Sequence, residues 1–154
     1  SAMGNYKVAN ANVPMGAGTG ATPDGRKAGD PLADGVSPTS GCDVNGPTAA
    51  ANSVAALDHA IASNGTLFNQ KFHPSALSGR EGLEKLSALV RGFFDQKGMH
   101  VQYNGVGRET LLDAQENPEK YKNLVVRVAG YSAHFVALDK SLQDDIINRT
   151  EQMF

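Results

Sequence analysis

Apolar residues recur every three or four positions in two segments beyond residue 47, as they do on one face of an α-helix. This spacing predicts amphipathic helices over residues 48–62 and 79–96, the second closed by Gly98 as its C-cap. Two shorter helices are predicted over residues 108–116 and after Asp139. The positions expected to face the core are Ala50, Val54, Leu57 and Ile61 in the first helix, and Leu83, Leu86, Val90 and Phe93 in the second.

Three further segments have the patterns that are typical of β-strands. Residues 66–72 are rich in β-forming residues, and residues 124–128 form a compact apolar run that leads into a tight turn. Between residues 99 and 104 apolar and polar residues alternate, which predicts a half-buried strand with Gln102 and Asn104 on its polar side. Helices and short strands together predict a mixed, α+β fold.

The first third of the chain has a different composition. Nine of the seventeen glycines and five of the seven prolines lie within residues 1–50, which indicates turns and irregular chain. A loop of this length is uncommon inside a compact domain, so it is either functional or packs on protein that is missing here. The chain therefore divides into residues 1–4, which look like an expression tag, a Gly- and Pro-rich loop region over 5–47, and a folded region over 48–154.

Composition excludes several classes of function. The net charge of −2 and the pI near 6.0 provide no basic surface for nucleic acid. No apolar run approaches the roughly 20 residues that cross a bilayer, so no membrane partner is expected. The single cysteine cannot form an internal disulfide or a cysteine-rich zinc site, and the simplest location is the reducing cytoplasm.

The common catalytic motifs are absent or incomplete. The glycine-rich segment 15–20 lacks a P-loop lysine and a strand–loop–helix context, so a flexible loop is the better interpretation. Cys42 lies in a polar loop with nothing nearby to activate its thiol, which favours an incidental cysteine. No metal site is expected, because the histidines are scattered without metal-ligand spacing: His59, His73, His100 and His134.

One short motif changes this picture. Gly130 stands between the apolar strand and an aromatic residue, and the residues alone favour an ordinary turn glycine with positive φ. However, Arg127-Val128-Ala129-Gly130-Tyr131 resembles the R-V-x-G-Y signature of the glycyl radical enzymes. Segments that also resemble this family are residues 22–26, 45–49, 63–67, 98–102, 142–147 and 149–151. The resemblance covers essentially the whole chain after residues 1–4, and it implies that residues 48–154 are the C-terminal glycyl-radical domain of that family.

The resemblance implies a radical on the α-carbon of Gly130. Delocalisation into the two flanking peptide groups needs a planar centre, which a β-carbon would crowd. In the family, a radical S-adenosylmethionine activase with an iron–sulfur cluster removes one hydrogen from this glycine, and Arg127, Val128, Ala129 and Tyr131 would form the motif that it recognises. No bound cofactor is expected beyond the modified glycine itself.

The resemblance also implies a missing partner. The family carries its thiyl cysteine in a ten-stranded α/β barrel upstream of the radical glycine, and Cys42 lies in the wrong context for that role. The chain thus resembles the C-terminal portion of a lyase or dehydratase, inactive without its own N-terminal barrel domain. The most similar branch contains choline trimethylamine-lyase and the B12-independent glycerol and propanediol dehydratases, in the cytoplasm or in a bacterial microcompartment.

Two alternatives stay open. The chain can instead be a stand-alone spare-part protein that restores a glycyl radical enzyme cleaved by oxygen. In addition, Gly105 and Gly107 stand where relatives usually have bulkier residues. Two glycines there would loosen the link between the strand and the helix, or would simply form a turn specific to this sequence.

Overall fold

A computed structural model describes residues 11–154, and the predicted tag lies outside the described residues. These residues form five α-helices, five short strands and several 3₁₀ turns. The helices are α1 (Asn12–Ala17), α2 (Pro47–Ala55), α3 (Gly79–Asp95), α4 (Arg108–Glu116) and α5 (Lys140–Asn148). The strands are β1 (Asn69–Phe72), β2 (Gln102–Asn104), β3 (Val125–Arg127), β4 (Ser132–His134) and β5 (Glu151–Gln152).

The strands form two small sheets. One has the order β2-β1-β5 and is parallel throughout, with α3 providing the crossover from β1 to β2. The other is an antiparallel hairpin of β3 and β4, in which Val126 is paired with Ala133. The expected mixed α+β class is confirmed, and residues 11–154 contain no closed barrel. No helix in this part of the chain is long and apolar enough to cross a membrane.

Two hydrophobic clusters hold these elements together. The first joins α2, β1 and α3 around three fully buried aromatic side chains, Phe68, Phe72 and Phe93. The second joins α4, the β3–β4 hairpin and α5, with Leu111 and Phe135 at its centre. The hairpin is part of the second cluster, and its strand β3 contacts β2 of the parallel sheet.

The first predicted helix is shorter than its apolar spacing suggests. Helix α2 ends at Ala55, so Leu57 and Ile61 are 50% and 78% exposed rather than part of the core. The chain turns because the Asp58 carboxylate accepts a hydrogen bond from the Ala60 N–H and starts a separate 3₁₀ turn. The prediction of one continuous helix over residues 48–62 was wrong.

The second predicted helix is confirmed over nearly its full length, but two of its details change. Leu83 is 60% exposed, whereas Leu89, which was not predicted, is buried beside the predicted Phe93. Leu86 packs against this cluster as predicted. At the C-terminal end the left-handed residue is Lys97, with φ 72°, and not the predicted Gly98. The N–H of Gly98 donates to the Phe93 carbonyl at 3.0 Å, as in a Schellman motif. Glycine is needed at position 98 because a Cβ there would lie 2.4 Å from the Phe93 ring.

The Gly- and Pro-rich segment packs on the folded region. Arg26 ties its turns together by donating hydrogen bonds to backbone carbonyls, including that of Asp30 at 2.6 Å. Further along, the Asp43 carboxylate accepts hydrogen bonds from Thr150 and Gln152 at the C-terminal strand. Neither α1 nor β5 was predicted. The boundary between residues 47 and 48 stays a prediction, although a helix begins there.

Candidate functional site

The predicted radical motif forms the tip of the β3–β4 hairpin. Gly130 has φ 75°, a left-handed conformation that suits glycine, and the N–H of Val128 donates to the Tyr131 carbonyl at 2.9 Å to close the turn. Val128 and Ala129 are buried, whereas Gly130 is exposed. A Cβ on Gly130 would lie 3.2 Å from Cδ1 of Leu67, a contact that needs a small shift of that side chain.

Asn104 fixes the start of the motif. Its side-chain Oδ1 accepts from the Arg127 N–H at 2.8 Å, and its Nδ2 donates to the Arg127 carbonyl at 2.8 Å. One amide thus replaces the backbone partner that β3 lacks on this edge, and it links the parallel sheet to the hairpin. Asn104 is only 6% exposed.

A chain of polar side chains continues from the Arg127 guanidinium. Its Nη1 donates to Ser132 Oγ and its Nη2 to Gln102 Oε1, both at 3.0 Å. Gln102 Nε2 donates to Asn69 Oδ1, and Asn69 Nδ2 donates to the Asp34 carboxylate. The motif is thereby connected through β2 and β1 to the N-terminal segment.

The carbonyl of Val128, two residues before Gly130, is held by two donors. Arg149 Nη1 donates to it at 2.9 Å and Asn69 Nδ2 at 3.4 Å. The other guanidinium nitrogen of Arg149 lies 3.1 Å from the Asp145 carboxylate and 3.6 Å from that of Asp34. We call Arg149, Asn69, Asp34 and Asp145 the carbonyl clamp.

Burial shifts the pKa values of two ionisable side chains near the motif, Asp34 and His100. Desolvation raises the pKa of Asp34, while the positive charge of Arg149 and the hydrogen bond from Asn69 oppose that rise. Desolvation, and secondly the charge of Arg127, lower the pKa of His100, which favours its neutral form. The clamp is thus a partly desolvated ion-pair network in which each charge depends on its partners.

Comparison with known proteins identifies the family. The family profile described as "Glycine radical" matches residues 32–136, more than half of the chain. The chain belongs to the glycyl radical family. Its matched segment includes the Arg127–Tyr131 motif, Asn69 and Asn104, whereas Arg149 lies beyond it.

Several relatives of this glycyl radical domain are dehydratases. It is 56% identical to the "Probable dehydratase YbiW" of Escherichia coli K12 over 97% of this chain and 19% of the relative. It is 47% identical to the trans-4-hydroxy-L-proline dehydratase of Clostridioides difficile, over 98% of this chain and 20% of the relative. The chain therefore spans about a fifth of the length of these curated relatives.

Two solved structures are still more similar in sequence. One, from a study of 1,2-propanediol dehydration in Roseburia inulinivorans, has 70% identity and a TM-score of 0.90 over 92% of this chain and 18% of that chain. The other is the glycerol-bound B12-independent glycerol dehydratase of Clostridium butyricum, with 69% identity and a TM-score of 0.91 over 93% of this chain and 18% of that chain.

The residues of the glycyl radical domain that sequence reasoning missed are polar. Gln102 and Asn104 were expected on the polar side of a half-buried strand, but both are 6% exposed and hydrogen-bonded to the motif or its neighbours. Asn69 and Arg149 have no periodic signal, because their roles depend on the meeting of distant segments. A polar residue at every second position of a strand could equally have indicated a buried polar network.

The other candidate residues lie apart from this network. Cys42 is exposed. His59 is bonded through its two ring nitrogens to Thr66 and the Val54 carbonyl, as expected of a structural histidine. Across residues 11–154 no group of three or more potential ligands is arranged to hold a metal ion. Gly105 is exposed, and a Cβ there would lie 3.3 Å from Cδ1 of Leu77.

Proposed function

We propose that this chain is the C-terminal, radical-bearing part of a larger glycyl radical dehydratase, and that Gly130 stores the radical. The observation that carries the proposal is the place of Gly130: an exposed glycine in a left-handed turn, inside the family match and between Arg127 and Tyr131. In the domain by itself the α-carbon of Gly130 is exposed, so an activating enzyme can reach it when the domain is away from the barrel. The flanking residues are ordered by Asn104 and by the second hydrophobic cluster.

The proposed chemistry is a sequence of hydrogen-atom transfers. A radical S-adenosylmethionine activase with an iron–sulfur cluster breaks one Cα–H bond of Gly130 homolytically and takes up the hydrogen atom. The glycyl radical then takes a hydrogen atom from a cysteine thiol in the barrel domain of the full enzyme, which leaves a thiyl radical to abstract hydrogen from substrate. After turnover the thiyl sulfur takes a hydrogen atom back from the Gly130 α-carbon, which restores the glycyl radical. The domain thus positions and stores the radical and does not contact the substrate.

We propose a small diol, such as 1,2-propanediol or glycerol, as the substrate class. The support is the higher identity to the two diol-related structures, 70% and 69%, than to the hydroxyproline dehydratase, 47%. The reaction would be the loss of water from the diol after hydrogen abstraction. An oxygen-sensitive radical is consistent with the cytoplasm of an anaerobic cell, free or inside a bacterial microcompartment.

One observation also favours the spare-part function as a second candidate. The described residues close two hydrophobic clusters of their own, with the N-terminal segment packed against the C-terminal strand. Such a unit is suited to docking on an enzyme whose own radical domain has been cleaved. Rescue of an oxygen-inactivated diol dehydratase by the purified chain, with the activase present, would select this function over the first.

Oxygen cleavage tests the position of the radical. The chain is activated anaerobically with a cognate activase, reductant and S-adenosylmethionine, exposed briefly to air and analysed by mass spectrometry. We expect a break beside Gly130 and a released tail that spans about residues 131–154. A control without S-adenosylmethionine should stay intact, and an activated chain that stays intact in air would contradict the proposal.

A further inference from the structure

The conformation of Gly130 does not suit the radical that it is proposed to store. Full delocalisation requires the p orbital of the α-carbon to align with the π system of the preceding peptide group, which occurs when φ is near 0° or 180°. At the observed φ of 75° the two are far from aligned. Formation of the radical must therefore rotate the backbone at Gly130. Glycine can cross this region of φ, which other residues rarely enter.

The carbonyl clamp decides which part of the chain can rotate. Arg149 Nη1 donates to the Val128 carbonyl at 2.9 Å, and Nη2 of the same guanidinium donates to the Asp145 carboxylate at 3.1 Å. The Arg149 side chain is only 13% exposed, so water competes little for these contacts. Asn104 independently holds Arg127, so the backbone is anchored up to residue 128. The bond from the Val128 N–H to the Tyr131 carbonyl and the pairing of β4 hold it again from Tyr131 onward, which leaves residues 129 and 130 to rotate.

We propose that Arg149 is a positioning residue for the radical: by anchoring the Val128 carbonyl, it confines the rotation to Ala129 and Gly130 and so sets the geometry in which the radical is held. This inference rests on the proposed function in requiring a radical on Gly130. Its structural half, the anchoring of the turn, does not need the radical and can be tested separately.

Hydrogen exchange on the unactivated chain tests the anchoring. The Val128 N–H, which bonds to the Tyr131 carbonyl, reports opening of the turn. Loss of one charge-assisted hydrogen bond should speed its exchange about tenfold or more in Arg149→Gln. The matched control is Arg80→Gln, which removes the same charge from an exposed pair with Glu84 and should leave the exchange of Val128 unchanged.

Two comparisons separate anchoring from general loss of stability. The N–H of Leu89 in α3 reports overall loss of stability, so Arg149→Gln should speed exchange of Val128 by a larger factor than exchange of Leu89, and equal factors would overturn the inference. Arg149→Lys, which keeps one charged donor, should speed exchange of Val128 by a smaller factor of about two to five. If Arg149→Gln does not fold, Arg149→Lys decides. Wild-type exchange of Val128 in the folded variant would overturn the inference.

The radical itself gives the second readout. After activation, the doublet splitting in the electron paramagnetic resonance (EPR) spectrum reports the coupling of the remaining α-hydrogen and so the spin density on Gly130. We expect Arg149→Gln to change this splitting, Arg149→Lys to restore most of it and Arg80→Gln to match the wild type. An unchanged splitting in Arg149→Gln overturns the inference. A wild-type chain without any glycyl doublet would instead contradict the proposed function, while the exchange experiment still measures the anchoring.

Discussion

Replacing Asn104 with alanine should weaken the domain at the point where its two sheets meet. The substitution removes both 2.8 Å hydrogen bonds to the Arg127 backbone from a side chain that is 6% exposed. An ordinary hydrogen bond contributes about 1 kcal/mol, and the Arg127 N–H and carbonyl would lose a partner in a partly buried position. We therefore expect a loss of about 2–3 kcal/mol in the free energy of unfolding.

Urea denaturation followed by circular dichroism measures this loss. With a slope of roughly 2 kcal/mol/M, the midpoint of Asn104→Ala should fall by about 1–1.5 M. The matched control is Asn52→Ala in α2. It removes one exposed hydrogen bond, which the Gln96 side chain donates to Asn52 Oδ1, and should change the free energy of unfolding by less than about 0.5 kcal/mol. If both variants unfold at similar urea concentrations, Asn104 does not hold the motif as described.

Two further predictions concern stability. Gly98→Ala should reduce the free energy of unfolding by about 1–3 kcal/mol and so lower the melting temperature, because the new Cβ would lie 2.4 Å from the buried Phe93 ring. Gly92→Ala, with nothing within 4 Å, should instead raise it, and the same direction in both variants would refute the packing argument. Lys71 is 2% exposed, and burial, opposed mainly by Glu151, lowers its pKa to about 8 from 10.5. Between these two pKa values the unfolded chain binds more protons than the folded chain, so the free energy of unfolding should rise as the pH goes from about 8 to 10.5. Urea midpoints measured across this pH range should rise for the wild type and lack that rise for Lys71→Met.

The parts of the fold that the sequence predicted are those decided by local patterns. Helices were expected over 79–96 and 108–116 and lie at Gly79–Asp95 and Arg108–Glu116, because apolar residues at helical spacing mark them. The first helix was overextended because Leu57 and Ile61 keep the right spacing although the backbone has already turned at Asp58. Periodicity alone cannot detect such a stop.

The residues of the candidate site also fall into those that a local pattern predicted and those that only the fold brings together. The sequence pointed to Gly130 and its motif because five consecutive residues resemble a family signature, and their role in the radical chemistry stays a prediction. The clamp was missed because Asp34, Asn69 and Arg149 are far apart in the chain and meet only after the parallel sheet and the hairpin have formed. Strand β5 was missed for a related reason, since two residues pair with β1 from the opposite end of the domain.

The central claim is that Gly130 stores the radical, and EPR spectroscopy of the anaerobically activated chain tests it most directly. The wild-type chain and Gly92→Ala should both show a glycyl doublet. Gly130→Ala should show none although it folds, since alanine at φ 75° costs only about 1–2 kcal/mol and Leu67 can shift slightly. Circular dichroism confirms that the variant is folded. A doublet in Gly130→Ala, or its absence from the wild-type chain with an activase shown to be active, would contradict the account.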